Sequence, residues 1–191
     1  MLSTTKHKAL KITVGVMGSA GAPITGGAGD KLHEKAAALG RAIAGQRVIL
    51  LTGATTGLVY TVGRTARDAG VFHVGVSPAN NQSEHIEAYG LPVDACDLLV
   101  YTGFGLKGRN VVLVRSCDIV LFIAGSMGAL NEFTIAHDEG KVIGCLGGTG
   151  GVADEARHLL QTLSKETGAR VFQNSDPETL IESCLKALNS V

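Results

Sequence analysis

The sequence contains no tryptophan, and aromatic residues make up only 4% of it. It also lacks an excess of charge, because 17 Lys and Arg residues balance 17 Asp and Glu residues. A protein that binds nucleic acid through a basic surface needs more Lys and Arg than this, and so does a polybasic membrane anchor. We therefore expect no nucleic-acid partner and no membrane-surface partner.

Long apolar runs and clustered cysteines are absent as well. No apolar run approaches the roughly 18 residues of a membrane-spanning helix. The 4 cysteines form no CxxC pair and no zinc-type spacing with histidine, so we predict no metal site. Cys117 and Cys145 lie beside apolar runs, which predicts buried thiols. A small number of unclustered cysteines is typical of proteins in a reducing compartment, and we therefore expect a cytoplasmic protein.

Short apolar runs alternate with helix-like segments along the 191 residues. Most runs are nearly continuous, which is typical of parallel strands covered on both faces. They occupy residues 11–18, 47–53, 71–78, 97–103, 118–125, 141–148 and 169–173. Helical patterns occupy residues 29–45, 57–70, 108–117, 129–140, 152–168 and 176–190. Asp30 and Asp176 are the expected N-caps of the first and last helices, with Pro177 at the first helical position and Gly70 just beyond the second helix.

The alternation predicts an α/β protein with a single Rossmann-like domain over residues 1–191. Its core would be a doubly wound parallel sheet of about seven strands with helices on both faces. Residues 1–10 are expected to be a flexible extension. Residues 79–96 are polar and without a clear period, so they are expected to form a long loop, and such loops are often functional.

Glycines cluster after the first, second, fourth, fifth and sixth predicted strands. These turns share the carboxyl edge of a parallel sheet, where ligands bind in open α/β folds and helix N-termini attract anions. One such cluster is explained equally well by a tight turn, but five on one edge favour an anionic, nucleotide-like ligand. No G-x-G-x-x-G fingerprint and no P-loop is present. Oxidoreduction with NAD and ATP hydrolysis of those common types are therefore not expected.

Two charged residues stand near these glycines. Arg109 follows Gly108 at a predicted helix start, where a cation opposes the helix dipole. An anionic ligand would explain this placement, because a forked guanidinium suits phosphate; a solvated arginine or an ion pair is the alternative. Glu132 falls in the predicted first turn of the next helix. The Glu132 carboxylate either complements the helix dipole or contacts a ligand.

Hydroxyl side chains stand at the same edge. Thr55 and Thr56 precede Gly57 at the head of the second helix, where a hydroxyl either caps the helix or donates to phosphate. Ser19 in the first loop has the same two interpretations. Thr149 lies among four glycines, which is typical of an anion-binding nest.

Three segments together resemble the LOG-like Rossmann superfamily, which carries an old lysine decarboxylase label. They are VGVMGSAG, LLTGATTGLVYTVGRTARDAG and the stretch from GRNVVLVRSC to KVIG, at residues 14–21, 50–70 and 108–144. One branch of the superfamily comprises phosphoribohydrolases, which cleave the N-glycosidic bond of nucleoside 5′-monophosphates. Another comprises molybdenum cofactor carrier proteins, which bind a phosphorylated pterin without turning it over. The opening VGVMGSAG and the chain length resemble the carrier branch more closely.

The hydrolase signature is P-G-G-x-G-T-x-x-E, and residues 124–132 here are AGSMGALNE. The glycines at 125 and 128 and the glutamate at 132 match, whereas Ala124, Ser126 and Ala129 depart from the signature. These departures weigh against hydrolysis more than against binding. Together with the glycine-rich edge, the resemblance predicts a ligand-binding set: Gly18, Ser19, Gly53, Thr55, Thr56, Gly57, Arg109, Asn110, Gly125, Ser126, Met127, Gly128, Ala129, Glu132 and Thr149.

The resemblance implies a carrier or storage protein for the molybdenum cofactor, or molybdopterin. The alternative is a phosphoribohydrolase in which Arg109 and Glu132 are catalytic. Glu132 would then hold ribose hydroxyls and stabilise positive charge that develops at the sugar. The superfamily also implies a homodimer or homotetramer formed through helices near the site. The apolar stretch at residues 110–114 would then be either core or subunit interface.

Overall fold

The computed structural model describes residues 11–21, 27–163 and 165–190, so the expected extension at 1–10 lies outside the described residues. Within these ranges, seven strands form one all-parallel sheet in the order β4-β3-β2-β1-β5-β6-β7. The strands are β1 Ile12–Gly18, β2 Val48–Thr52, β3 His73–Ser77, β4 Leu98–Tyr101, β5 Ile119–Ile123, β6 Val142–Leu146 and β7 Arg170–Asn174. The predicted parallel α/β sheet is confirmed.

Helices cover both faces of this sheet, as predicted. They are α1 Gly27–Ala44, α2 Gly57–Asp68, α3 Gly105–Arg115, α4 Met127–Asp138, α5 Gly151–Thr162 and α6 Pro177–Leu188. One apolar core lies between the sheet and α1, α2 and α6, and the other lies between the sheet and α3, α4 and α5. A short π-helical turn, Glu84–Ala88, interrupts the otherwise irregular segment between β3 and β4.

The central strand β5 shows why the apolar runs are continuous. Ile119, Leu121 and Ile123 point into the first core, whereas Val120 and Phe122 point into the second. All five are fully buried. Since each such side chain contributes roughly 1.5–3 kcal/mol on burial, neither face of the strand tolerates a polar residue.

Several helix boundaries follow the predicted signals. The Asp176 carboxylate accepts the N–H of Thr179 at 2.8 Å, and Pro177 begins α6. Gly70 follows α2 with φ of +94°. The first helix differs, because it begins at Gly27, so that Asp30 lies in its first turn rather than at its N-cap. The fifth ends at Thr162 instead of near residue 168, because the next apolar side chain has no core to cover it.

The starts of α3 and α4 change the interpretation of the two charged candidates. Gly105 begins α3 and Met127 begins α4, so the predicted starts at 108 and 129 are wrong. The reason is that Gly108 and Gly128 are helical residues rather than boundaries. Arg109 and Glu132 therefore lie in second helical turns, and both are buried. Because a helix dipole acts mainly within its first turn, it does not account for either residue.

Candidate functional site

A cavity opens where the strand order reverses, between the carboxyl ends of β1 and β5. Its volume is about 160 Å³, and the ends of β1 and β2 line it together with α2, α3 and α4. This position is the usual ligand site of an open parallel sheet. The lining includes these predicted residues: Gly18, Gly53, Thr55, Arg109, Asn110, Ser126, Gly128, Ala129 and Glu132.

Arg109 and Glu132 form a buried and incomplete ion pair in this cavity. Their relative exposures are 6% and 7%. The distance from Arg109 Nη1 to Glu132 Oε1 is 3.9 Å, which is too long for a hydrogen bond. Arg109 Nε is buried without a hydrogen-bond partner among the described residues. A buried donor left unpaired costs about 1–3 kcal/mol, so the guanidinium retains unsatisfied capacity for an acceptor.

The pKa values of this pair shift for one physical reason, which is the removal of both charges from water. Burial raises the pKa of Glu132 to about 7, although the nearby Arg109 and Lys107 act to lower it. Burial also lowers the pKa of Arg109, against the opposing effect of Glu132. At neutral pH the Glu132 carboxyl is therefore close to the midpoint of its titration.

Asn110 contacts the same carboxyl group. In the amide orientation that pairs donors with acceptors, its nitrogen donates to Glu132 Oε1 at 3.1 Å and to the Leu106 carbonyl at 3.0 Å. This is a single neutral hydrogen bond to a buried carboxylate, and full stabilisation of such a charge requires several donors. Asn110 thus orients the Glu132 side chain without neutralising it.

Two glycines are needed for close packing at the site. A Cβ on Gly53 would overlap the guanidinium of Arg109. Gly18 has φ of +152°, and a Cβ there would overlap the carbonyl oxygen of Ile123. The missing side chains therefore allow the arginine to lie against the β2–α2 turn and the end of β1 to lie against the end of β5.

Ser19, Thr56 and Gly57 join the first two glycine loops and do not line the cavity. The Ser19 N–H donates to the Ile123 carbonyl at 3.1 Å, and the Ser19 carbonyl accepts the N–H of Leu58 at 3.1 Å. The Thr56 hydroxyl accepts the N–H of Gly21 at 3.0 Å. Gly57 has φ of +72° and leaves room for the Ser19 carbonyl. These contacts fix the loops that carry Gly18 and Gly53.

The N-terminus of α4 forms another wall of the cavity. Ser126 is the N-cap residue, and its side chain makes no capping hydrogen bond among the described residues. The first turn of any helix also presents N–H groups without intrahelical acceptors. Gly125, with φ of +103°, precedes this turn and leaves room for the Ala129 methyl group. Met127 is 75% exposed and lies outside the lining.

Thr149 also lies outside the lining, although its glycine-rich loop does form a nest. Its hydroxyl donates to the Leu146 carbonyl at 2.6 Å and accepts the N–H of Ala124 at 2.8 Å. The N–H groups of Gly148 and Gly150 donate to the Asp154 carboxylate at 2.7 and 2.8 Å. The nest therefore binds a carboxylate of the chain itself, and Asp154 at the start of α5 is the sequence signal for it.

Lys107 is a functional candidate that the predicted set lacks. It lines the cavity from α3, and a Cβ on Gly128 would lie 3.7 Å from its Nζ. Its ammonium group is therefore beside the first turn of α4, where an anion would also bind. The sequence signal is its position two residues before Arg109, on the same short helical segment.

Outside the cavity, the described residues form neither a metal-binding cluster nor a reactive thiolate. Within the described ranges, no group of three or more His, Cys, Asp and Glu residues could hold a metal ion. No helix in those ranges is long and apolar enough to cross a membrane. Cys117 and Cys145 are buried free thiols, as predicted. Burial raises the pKa of each thiol to about 12, so neither is a reactive thiolate at neutral pH.

Comparisons with known proteins agree with this architecture. The model of the SLOG cluster4 family matches residues 11–181. The crystal structure of TM1055 is 25% identical with a TM-score of 0.80, over 92% of this chain and 99% of that chain. The molybdenum cofactor binding protein of the phototrophic bacterium Rippkaea orientalis is 26% identical with a TM-score of 0.75, over 96% and 100% of the two chains.

A third solved structure is similar in fold. The molybdenum cofactor carrier protein of Chlamydomonas reinhardtii is 24% identical with a TM-score of 0.72, over 95% of this chain and 100% of that chain. The predicted resemblance to LOG-like proteins, and within them to molybdenum cofactor carriers, is confirmed.

Proposed function

The chain belongs to the SLOG cluster4 family, and we propose that it binds a phosphorylated pterin or nucleotide-like ligand in the cavity between β1 and β5. The favoured ligand is the molybdenum cofactor, and the favoured role is its carriage or storage. The observation that carries this proposal is the Arg109 guanidinium, which is buried at the cavity with an unpartnered Nε. Guanidinium groups bind phosphate with paired, charge-assisted hydrogen bonds.

The residues of the cavity suit the phosphate end of such a ligand. Arg109 and Lys107 supply positive charge, and the first turn of α4 supplies N–H groups beside Ser126. The volume of about 160 Å³ is smaller than the roughly 300–1,000 Å³ of a pocket that encloses a whole drug-sized ligand. The phosphate would occupy the cavity, and the larger ring system would extend over its rim.

The rim is apolar enough to receive a ring system. Leu106 lines the cavity mouth and is 51% exposed. Met127 lies outside the lining but directly precedes the lining residue Gly128 and is exposed, so its flexible thioether would be free to contact an aromatic ring that extends beyond the rim. Two of the structurally similar proteins described above are named for binding or carrying the molybdenum cofactor, which supports the same ligand class here.

We further propose that the protein is a cytoplasmic homodimer or homotetramer. Apolar side chains on β4, at the N-cap of α3 and on α3 itself are exposed: Leu98, Val100, Phe104, Leu106 and Val111. Exposed apolar residues that form one surface mark an interaction site, and a second copy of the chain would cover these residues. The 4 cysteines are free thiols, which is the state expected in a reducing compartment.

One observation favours a phosphoribohydrolase as a second candidate. Glu132 is a buried carboxyl group beside the cavity with its pKa raised to about 7, and perturbed carboxyls are typical of catalytic sites. In this role Glu132 would stabilise the positive charge that develops as the N-glycosidic bond breaks. Ala129 leaves no hydroxyl at the position where the hydrolase signature has threonine.

The two candidates differ in turnover, and free-base release separates them. The experiment incubates the protein with a panel of nucleoside 5′-monophosphates, with Glu132→Gln as the control. A carrier gives no release above the control and binds the isolated molybdenum cofactor in a titration that Arg109→Ala weakens. Release that Glu132→Gln abolishes would establish the hydrolase. Absence of both release and cofactor binding would overturn the proposal.

A further inference from the structure

The incomplete contact between Arg109 and Glu132 has a consequence for the charge of the bound state. Both residues are buried, with relative exposures of 6% and 7%, and their closest charged atoms are 3.9 Å apart. Arg109 Nε faces no acceptor in the described chain. An anion that binds this guanidinium therefore adds negative charge within a few ångströms of a carboxylate that is already poorly compensated.

We propose that the cavity takes up one proton together with its anion, and that Glu132 carries this proton. The inference rests on the proposed anion site and specifies its regulation. A carboxylate beside a bound dianion experiences strong repulsion, because the low dielectric of a buried site screens charges weakly. Protonation removes this repulsion and converts Glu132 from a competitor for Arg109 into a hydrogen-bond donor.

The surroundings of Glu132 assign the proton to this residue. Arg109 and Lys107 are the charged groups that face it, both from α3. Cys117 is the next titratable group, and burial raises the pKa of its thiol to about 12, so it stays protonated. The walls contributed by β1, β2 and α2 are glycines, threonine and apolar side chains. The apolar residues of α5 that pack in this core are Val152, Ala153 and Ala156.

Asn110 suits both protonation states. With one amide orientation its nitrogen donates to Glu132 Oε1 at 3.1 Å. With the opposite orientation the nitrogen donates to Asn131 Oδ1 at 2.9 Å, and the Asn110 oxygen then faces both the Leu106 carbonyl and Glu132 Oε1. Only a neutral Glu132 carboxylic acid supplies that oxygen with a donor. Rotation of the Asn110 side-chain amide therefore lets it donate to the Glu132 carboxylate or accept a hydrogen bond from the neutral Glu132 acid.

This arrangement selects a class of ligand. With Glu132 neutral, the cationic groups of the cavity are Arg109 and Lys107, which match the two charges of a terminal phosphomonoester. A phosphodiester carries a single negative charge and leaves one cation uncompensated. The site is therefore expected to prefer a ligand that ends in a phosphomonoester over one whose phosphate is a diester.

Inorganic sulfate is the probe that tests the proton, because it stays dianionic across neutral pH and any pH dependence then comes from the protein. Calorimetric titrations at about pH 5.5 and about pH 8.5, each in two buffers of different ionisation enthalpy, give the affinity and the number of protons taken up. Above the pKa of Glu132, the affinity should fall about tenfold per pH unit, with uptake approaching one proton. At the acidic pH, uptake should be near zero.

Glu132→Gln supplies the control, since its amide mimics the neutral acid. It should bind sulfate with nearly the same affinity at both pH values and without proton uptake. Wild-type protein that binds sulfate with pH-independent affinity and no proton exchange would overturn the proton inference alone. Protein that binds neither sulfate nor inorganic phosphate at either pH would overturn the proposed anion site as well. The number of protons that wild-type protein takes up on binding sulfate tests the proton inference even if Glu132→Gln fails to fold.

Discussion

The hydroxyl of Thr52 donates a hydrogen bond to Nε2 of the buried His73, at 2.8 Å. The direction follows from the other ring nitrogen, since Nδ1 faces the Ala95 carbonyl and must carry the proton. The Thr52 oxygen also accepts the N–H of Ala54 at 3.2 Å. Ala54 has φ of +49° and directly follows Gly53, so this chain of hydrogen bonds fixes the turn against which Arg109 lies.

A similar arrangement of hydrogen bonds occurs at the end of the neighbouring strand, β3. Ser77 contacts Nδ1 of His85 at 2.8 Å and accepts the N–H of Ala79 at 3.1 Å. His85 Nε2 contacts the Pro92 carbonyl at 3.1 Å. Both histidines therefore bind backbone carbonyls of the segment between β3 and β4. Hydrogen bonds from both imidazoles hold this segment to the sheet, although it has little regular structure.

Thr52→Val should weaken both the fold and anion binding. The substitution keeps the shape of the side chain but leaves His73 Nε2 and the Ala54 N–H without their partner. We expect a loss of about 1–3 kcal/mol in the free energy of unfolding, measured by urea denaturation, and a several-fold loss of sulfate affinity. Thr162→Val is the control, because Thr162 bonds an exposed carbonyl within α5. Equal effects of the two substitutions would contradict the role assigned to Thr52.

The stability of the protein should fall on acidification, in part because of His73. Burial lowers the pKa of His73 below its ordinary value of 6.5. The unfolded chain then binds a proton more readily than the folded one, so this contribution is complete above pH 6.5 and is lost as the pH falls below it. Urea denaturation at neutral and mildly acidic pH should show a smaller pH-dependent loss in His73→Gln than in wild type. An equal loss in both proteins would exclude His73 as the cause.

The sequence predicts the sheet well because burial on both faces leaves a direct pattern, as in the continuous run Ile119–Ile123. It predicts helix starts less well, because Gly108 and Gly128 resemble boundaries but lie inside helices. This is why the sequence places Arg109 three residues too early and Glu132 two residues too early in their helices. Their burial, and the gap between them, depend on how α3 and α4 pack together.

Contacts between distant residues are harder to predict than single strands. The Thr52–His73 pair depends on the register of β2 against β3, in which Thr52 lies beside Gly75. No local pattern around His73 distinguishes this role from that of an ordinary core histidine. The anion-binding nest at Gly148 binds the Asp154 carboxylate of the same chain. This contact could be predicted in principle, because Asp154 follows at the start of a helix. The geometry of that loop is nevertheless what brings the two together.

Arg109→Ala should weaken the binding of the phosphorylated ligand by more than about tenfold, or roughly 1.5–3 kcal/mol for a charge-assisted contact. Isothermal titration with the isolated molybdenum cofactor, or with inorganic phosphate, measures the change. Arg115→Ala is the matched control, because Arg115 ends the same helix, is exposed, and pairs with Glu139 at 2.9 Å. An unchanged affinity in Arg109→Ala would remove this residue from the site.

Gly53→Ala should impair binding through Arg109 rather than through the backbone. A methyl group at this position would overlap the guanidinium and force it away from the β2–α2 turn. We expect a loss of sulfate affinity comparable to that of Arg109→Ala. Gly45→Ala is the control, since its methyl group would meet the Ala42 carbonyl at 3.4 Å, an ordinary contact distance. Full affinity in Gly53→Ala would show that the guanidinium does not need its observed position.

The exposed apolar residues on β4 and α3 should form the interface between copies of the chain. Val111 lies on the outer side of α3 and is 41% exposed. Val111→Lys would place a charge in the apolar interface, and burying an unpaired charge is strongly unfavourable. Sedimentation velocity should therefore show a smaller species for this variant than for wild type. Leu163→Lys, at an exposed residue just beyond α5, should leave the oligomer intact. If Val111→Lys sediments like wild type, the interface lies elsewhere or the protein is a monomer.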